Sequence, residues 1–441
     1  MRDPEPERKE QILFGIHYQT HSSPSAFHIS TASTTNCSCK IFILYLSLPK
    51  FLESTMKFGT NKTDFYQSLQ RIIGVIPSKT TIPILGNILC NLEPGSLRLT
   101  GTDLEVSIVT TLGVNGSASG SFALPAKKTY DIIRELPEVP LEVDVQDNFR
   151  VTISSDKGKY TLSGESSDEY PQISPGQTES SFSYPLGRLL RMIEKTLFAV
   201  SLDELRTTLM GMLLELRERE LRTVATDGHR LVRISDQTFV NKDRPAQVII
   251  PTKALQLLAR TSEQQQNVDI AIGENHIVFK TQHTTIFSKL INGQFPTYER
   301  VIPTDNDLEM TVERDVLAAA VRRVSLFANQ TTQQVRFTST HNTLTVQAED
   351  EQIGGEAKES IPVTFSGDKL EIGYNSQYLL EILRHIDTPE VVFQLKDGGS
   401  AAILRPVAQT ADDKTSSDRA GEDQLMLLMP IRLNDAPQDV T

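Results

Sequence analysis

The densest grouping of chemistry-bearing residues is Asp227-Gly228-His229-Arg230, with Ser235 close behind. An acid beside a base within reach of a hydroxyl is how enzymes activate a serine nucleophile, so the segment is a candidate hydrolase centre. Two other aspartates keep similar company. Leu97-Arg-Leu-Thr-Gly-Thr-Asp103-Leu-Glu and Leu344-Thr-Val-Gln-Ala-Glu-Asp350-Glu-Gln parallel Leu221-Arg-Thr-Val-Ala-Thr-Asp227-Gly-His, so the three carboxylates could mark one repeated active site. Against catalysis, sequence neighbours seldom form a triad, and no Gly-x-Ser-x-Gly elbow occurs. Nor is there a Walker loop, a dinucleotide fingerprint or a His-Glu-x-x-His. Gly228 after Asp227 is read more simply as a turn that requires positive φ. His17, His21, His28, Cys37 and Cys39 could ligate a metal, but their spacing fits no standard zinc pattern. The acidic Glu165, Asp168 and Glu169 lie in a Ser-rich stretch and read as solvated. The expectation is a protein with no catalytic residue, no metal and no cofactor.

Cations repeat as regularly as the aspartates. Arg134, Arg260 and Arg384 stand 126 and 124 residues apart at the ends of three expected helices, and Arg71, Arg188, Arg191, Lys195, Arg322 and Arg323 fall in three others. A cation in a last turn complements the helix dipole, which accounts for any one of them. Six basic helices in a chain of net charge −12 point further, to a local basic surface on an acidic molecule. Such a surface suits sequence-independent phosphate contact.

The elements that must position these residues come in three sets. The aspartates lie 124 and 123 residues apart in a chain of 441, which is domain spacing; solenoid repeats are shorter, about 20–50 residues. Each set opens with a helical period: Phe65, Leu69, Ile72 and Ile76, then Leu189, Ile193 and Leu197, then Leu317, Val321 and Val324. Alternating strands follow, as at Val106/Ile108 and Leu344/Val346, then a second helix at Thr129–Glu135, Ala254–Arg260 or Tyr378–His385, then strands such as Phe149–Ile153 and Ile277–Phe279. The predicted fold class is α+β: three tandem domains, each with two helices packed on one face of antiparallel sheet. The expected divisions are an extension at 1–55, domains at 56–174, 182–303 and 304–433, and a tail at 434–441.

Domain size constrains the assembly. A domain of about 120 residues is about 35 Å across. Three closing on themselves would leave a hole of about 5 Å, and six about 35 Å, against roughly 20 Å for a B-form duplex. A head-to-tail dimer ring of six domains follows, with a heterologous interface.

Three cysteines (Cys37, Cys39, Cys90) give no disulfide framework, pointing to a reducing, cytoplasmic setting. The apolar run Ile41–Leu48 is too short for a bilayer and lacks the placing of a secretory signal. No membrane association is expected. Residues 1–55 read as a disordered extension or, preferably, the product of an upstream start codon.

Met56-Lys-Phe58, Pro83-Ile-Leu-Gly-Asn87, Leu99-Thr-Gly-Thr-Asp-Leu-Glu105, Leu221 to Leu231, Phe295-Pro296 and Met429-Pro-Ile-Arg-Leu433 together resemble the β sliding clamp of bacterial DNA polymerase III, in the family's order. The resemblance implies a non-enzymatic homodimer ring around double-stranded DNA, each repeat having the DNA-clamp fold. It implies as partners the DNA polymerase III catalytic subunit, an ATP-dependent clamp loader, and other polymerases and repair proteins that carry short peptide motifs. It implies a peptide pocket made of Leu209, Thr226, Gly228, His229, Arg230, Leu231, Pro296, Arg300, Val301, Asn375, Tyr378, Leu427, Leu428, Met429, Pro430, Ile431, Arg432 and Leu433. The apolar segment Leu425–Ile431, with its adaptable methionines, suits a pocket for varied partners; an ordinary edge strand would account for Leu427 and Leu428 equally well. DNA-facing candidates are Arg71, Lys79, Arg134, Arg191, Lys195, Arg260, Arg322, Arg323 and Arg384. At the ring interface Tyr160 and Leu162 would face Leu326 and Phe327 of the partner, or be plain core. Thr207-Thr208 stands where some members have paired tyrosines, and Lys79 where the family has Arg. The acidic Gln409–Gln424 reads as a mobile loop, and the tail 434–441 as a weak screen of the pocket. An open-ended DNA-binding arch is the second reading, and a hydrolase using His229 the third.

Overall fold

The computed structural model describes residues 56–433 apart from 117, 174–175, 243, 262–266, 351–353 and 408–420. The expectations for 1–55, for the tail and for most of the acidic loop lie outside the described residues. Six helices carry the core-facing periods: α1 (Lys62–Ile73), α2 (Ala126–Glu135), α3 (Leu186–Leu197), α4 (Thr252–Thr261), α5 (Arg314–Val324) and α6 (Ser376–Arg384). Pro125, Pro185 and Pro251 end strands immediately before α2, α3 and α4, because a proline N–H is not needed where a helix begins. The second helices therefore start two or three residues earlier than their apolar spacing indicates. Ile76 was expected on the face of α1, but the helix stops at Ile73, and Gly74 and Val75 lead out of it.

The order in each repeat is strand, helix, strands, helix, strands, yet no repeat owns a single sheet. The expected fold, two helices packed on antiparallel sheet in each of three tandem repeats, holds, with two of the sheets shared between neighbouring repeats. Val106–Gly113 of the first repeat pairs antiparallel with Thr284–Lys289 of the second, Ile108 opposite Ile286, fusing eight strands into one sheet. Arg230–Asp236 of the second pairs with Glu422–Leu428 of the third, Leu231 opposite Leu427, fusing nine. Two four-stranded sheets remain, one from the first repeat ending in Lys159–Ser163 and one from the third ending in Gly355–Pro362. The helices pack in pairs beneath these sheets, α1 on α2, α3 on α4 and α5 on α6.

The strand Glu422–Leu428 overturns two expectations. Glu422, Asp423 and Gln424 are not loop but its first residues, held there because Arg191 pairs with Glu422, and Arg233 and Arg405 pair with Asp423. Nor are Leu425 to Leu428 exposed or at an edge: the strand lies between Arg230–Asp236 and Ala402–Pro406, and these four leucine and methionine side chains are at most 2% exposed.

Candidate partner-binding site and nucleic-acid surface

The aspartate motif builds a turn. Asp227 Oδ1 accepts hydrogen bonds from the backbone N–H groups of His229 and Arg230, at 2.9 and 3.0 Å. Asp103 Oδ1 accepts the same pair from Glu105 and Val106, at 2.9 and 2.7 Å. Thr226 and Thr102 complete each turn, accepting from the residue two ahead and donating to the carbonyl four ahead. Gly228 has φ +91° and its counterpart Leu104 +77°, so the positive φ expected of Gly228 belongs to both turns. The remaining carboxylate oxygens go to Arg230 and Lys253. Both aspartates are thus engaged in holding their turns. The Asp350 turn runs into residues outside the described set.

Around the second turn the two repeats meet. His229 stacks on Tyr378 of α6, ring centroids 5.8 Å and planes 18° apart. Arg230 is buried (7% exposed) and acts as a strut. It donates to Asp227, to Glu381 of α6 and to the Phe198 carbonyl, and its guanidinium lies 5.2 and 4.7 Å from the Phe198 and Tyr378 rings. Asn375, expected in the pocket, spends its Oδ1 capping α6 through the N–H groups of Gln377 and Tyr378. Leu209, Leu231 and Leu427 form a small apolar cluster with Leu213, Val224, Ile249, Phe295, Tyr298, Ala401, Ile403 and Leu425. Leu428, one residue on, points to the other face and joins the main core; strand alternation removes it from the site. Beside this floor, Gly228, His229, Pro296, Arg300, Val301, Met429 and Arg432 are exposed, while Thr226, Tyr378, Pro430, Ile431 and Leu433 are half-buried.

Two supports hold the rim. The Tyr298–Val301 turn is pinned by the Tyr298 hydroxyl, which receives a 2.6 Å bond from Arg222 and donates at 2.7 Å to Glu215. Burial and the Glu215 carboxylate push that hydroxyl well above the usual tyrosine range, so it stays a donor. The C-terminal segment spans the site: Met429 N–H donates to the His229 carbonyl and Ile431 N–H to that of Gly373, at 2.9 and 2.8 Å. Phe198, Glu381 and Gly373 all serve the site without a sequence signal, since each is recognised only by a partner distant in the chain.

The basic residues divide. Lys79, Arg260, Arg322 and Arg384 are exposed. Arg134 pairs with Asp131 and Glu135, and Arg323 with Glu359; Arg71 is half-buried. Lys195 and Arg191 leave the DNA-facing set. Lys195 is 4% exposed and bonded to Asp387, while Arg191 joins Asp387 and Glu422, together tying α3 to the third repeat. Arg188 is likewise drawn to Asp236, at 2.9 Å. Of the interface candidates, Leu326 and Phe327 are exposed, Tyr160 is half-buried, and Leu162 is buried in its own repeat's core. Among the described residues no group of three His, Cys, Asp or Glu could hold a metal, and no helix is long and apolar enough to cross a membrane.

Comparison with known proteins meets this geometry. Sequence models of the N-terminal, central and C-terminal domains of the DNA polymerase III beta subunit match residues 56–174, 185–297 and 299–416. The beta sliding clamp of Pseudomonas aeruginosa is 35% identical over 382 residues, covering 86% of this chain and 100% of the relative. That of Escherichia coli K12 is 33% identical over the same span and coverage. A solved P. aeruginosa DnaN sliding clamp bound to griselimycin superposes with a TM-score of 0.79 at 34% identity, covering 86% of this chain and all of that one. Three tandem repeats, the turn common to the first two and these matches agree: the chain belongs to the beta sliding clamp family of DNA polymerase III.

Proposed function

We propose that the chain works as a head-to-tail homodimer that encircles duplex DNA and tethers the DNA polymerase III catalytic subunit and other DNA-processing proteins. The tether is a short partner peptide docked at the boundary of the second and third repeats. The protein itself catalyses nothing: retention comes from closure rather than affinity, and phosphate contacts by Lys79, Arg260, Arg322 and Arg384 exchange as the ring slides. An ATP-dependent loader opens it, since the chain carries no nucleotide-binding loop.

One observation about the strands supports the ring. Both inter-repeat joints have the same composition: the third strand after a repeat's first helix pairs with the third strand after the next repeat's second helix. That rule leaves Gly355–Pro362 of the third repeat and Lys159–Ser163 of the first without partners, and both are sheet edges. A second copy turned head to tail supplies each with its missing neighbour, so that two such joints repeat the pairing made twice within the chain. The Ser325–Phe327 turn, with exposed Leu326 and Phe327, packs beside Gly355–Pro362, where apolar surface would seal the joint.

Primer extension by the catalytic subunit with loader and ATP tests the reading. Product length per binding event rises when the chain is present and falls back with Met429→Ala. Equal lengths with and without the chain would overturn it.

A further inference from the structure

The joint between the first and second repeats has the same register as the joint that carries the partner site. Ala123, Leu89, Thr100, Val109, Thr285 and Lys280 lie side by side across neighbouring strands. Ile249, Leu213, Val224, Arg233 and Leu425 do the same at the second joint, with Arg405 one step beyond the Leu404–Met426 pair on the next strand. Ile249, Leu213, Val224 and Leu425 belong to the floor of the partner site.

At the first joint the corresponding row lines an open groove of about 880 Å³, in which Leu89, Val109 and Phe287 supply half-buried apolar surface. Tyr170 bounds it, its hydroxyl reaching the carbonyls of Thr100 and Asn87 at 3.1 and 3.3 Å. Residues 171–173, which follow, line both this groove and an adjoining hollow of about 180 Å³. Strand alternation turns the groove away from the helices: Leu97 and Leu99 join the core with Leu69 and Ile72 of α1, while Arg98 and Thr100 face the groove.

The two joints differ in charge. At the second, Arg222 is paired with Glu215 across the ladder and with Glu220 two residues before it. Arg98 occupies the same place at the first joint, but Asn91 and Ser96 stand where those carboxylates would be. Arg405 is paired with Asp423, two residues before Leu425. Lys280 takes its place at the first joint, and the residue two before Thr285 is His283. The cations are kept and all three carboxylates are gone. Arg98 and Lys280 are exposed, and neither has an ion-pair partner among the described residues. Asp168, the one carboxylate lining this groove among the described residues, accepts a 2.7 Å bond from Ser166. The lining is therefore net positive. An apolar bed with two unanswered cations fits a peptide whose carboxylates are spaced by apolar side chains. The helix cations assigned above to duplex DNA lie on the other side of the sheet, which leaves this face for protein.

We propose that the groove at the first joint is a separate docking site for an acidic peptide segment of a protein partner. Carboxylates of the segment meet Arg98 and Lys280, and its apolar side chains lie on Val109 and Phe287. The site stands apart from the one at His229, and neither needs the other.

Fluorescence anisotropy with the full chain tests this, using two labelled probes that share their apolar residues: acetyl-Glu-Leu-Glu-Phe-Glu-Leu-amide and the same peptide with Lys in place of Glu. The acidic probe binds, and the basic one binds at least about tenfold more weakly. Arg98→Glu with Lys280→Glu, both at exposed positions, leaves Tm unchanged and weakens the acidic probe at least about tenfold, because each reversal turns an attraction into a repulsion. No binding of the acidic probe, equal binding of the two probes, or an undiminished double variant overturns the proposal. A loss in Met429→Ala with normal binding by the double variant also overturns it, by placing the probe at the His229 site. So does a double variant that keeps its affinity for the peptide and loses affinity for a single-stranded oligothymidylate, which would make the groove a nucleic-acid site.

Discussion

His229 and Tyr378 lie 149 residues apart in the chain, yet their rings stack 5.8 Å apart across the boundary of the second and third repeats. The pair is one of the contacts of the proposed partner site that exist only because two repeats meet. On the docking reading, removing either ring, by His229→Ala or Tyr378→Ala, weakens binding of the DNA polymerase III catalytic subunit about three- to tenfold, from the usual worth of an aromatic contact. Calorimetric titration measures it, with Tm and dimer mass unchanged.

Gly373 offers a steric test of the C-terminal segment. A Cβ there would lie 2.7 Å from the Ile431 oxygen and 2.9 Å from Leu433 Cδ2. Gly373→Val therefore lifts Ile431 off the strand Lys369–Asn375 and loosens Met429 behind it. Limited proteolysis cuts the C-terminal segment sooner, and ligand affinity falls by about tenfold, while the buried strand Glu422–Leu428 stays protected.

The joint between the second and third repeats responds to acid through two groups. Burial alone would raise the Asp387 carboxyl, but hydrogen bonds from Lys195 and Arg191 outweigh it and hold the group below the ordinary carboxylate range. A depressed acid stabilises the fold above its unfolded pKa of about 3.9, and that contribution disappears as pH falls through the folded value. His385, stacked 3.9 Å from Phe198, is shifted down by burial, with Lys195 and Arg384 adding to it against the Glu381 carbonyl. Its unfolded form takes up a proton first, so stability declines as pH drops below about 6.5. Thermal melts should show Tm falling in two stages, the first lost in His385→Gln and the second reduced in Asp387→Asn.

Leu326 and Leu162 were both interface candidates, and their burial separates them. Leu326→Asp, at a 78% exposed position, should turn the dimer into a monomer of unchanged Tm in analytical ultracentrifugation. Leu162→Ala, at an 8% exposed core position, should instead cost about 2–4 kcal/mol of folding stability.

The repeats, the helices and the turn were legible because each is written in local spacing: 3.6-residue periods, alternation, and a Thr-Asp pair followed by a residue with positive φ. The joints were not. Ile108 finds Ile286, and Leu231 finds Leu427, across well over a hundred residues, and nothing local to any of the four marks the pairing. The same distance hid the fate of Lys195, a cation on a helix whose partner Asp387 lies 192 residues away. Adjacent Leu427 and Leu428 looked alike in composition, but strand alternation sends one to the docking site's floor and the other to the main core. Leu104 carried no sign of its positive φ, since only its glycine counterpart announces one.

Topological closure is the central claim, and retention on DNA tests it most directly. The chain, loaded by its ATP-dependent loader onto nicked circular DNA, is followed by gel filtration before and after one restriction cut. The account predicts stable co-elution with the circle and loss within the time needed to slide off once the DNA is linear. Equal retention on circular and linear DNA would contradict it.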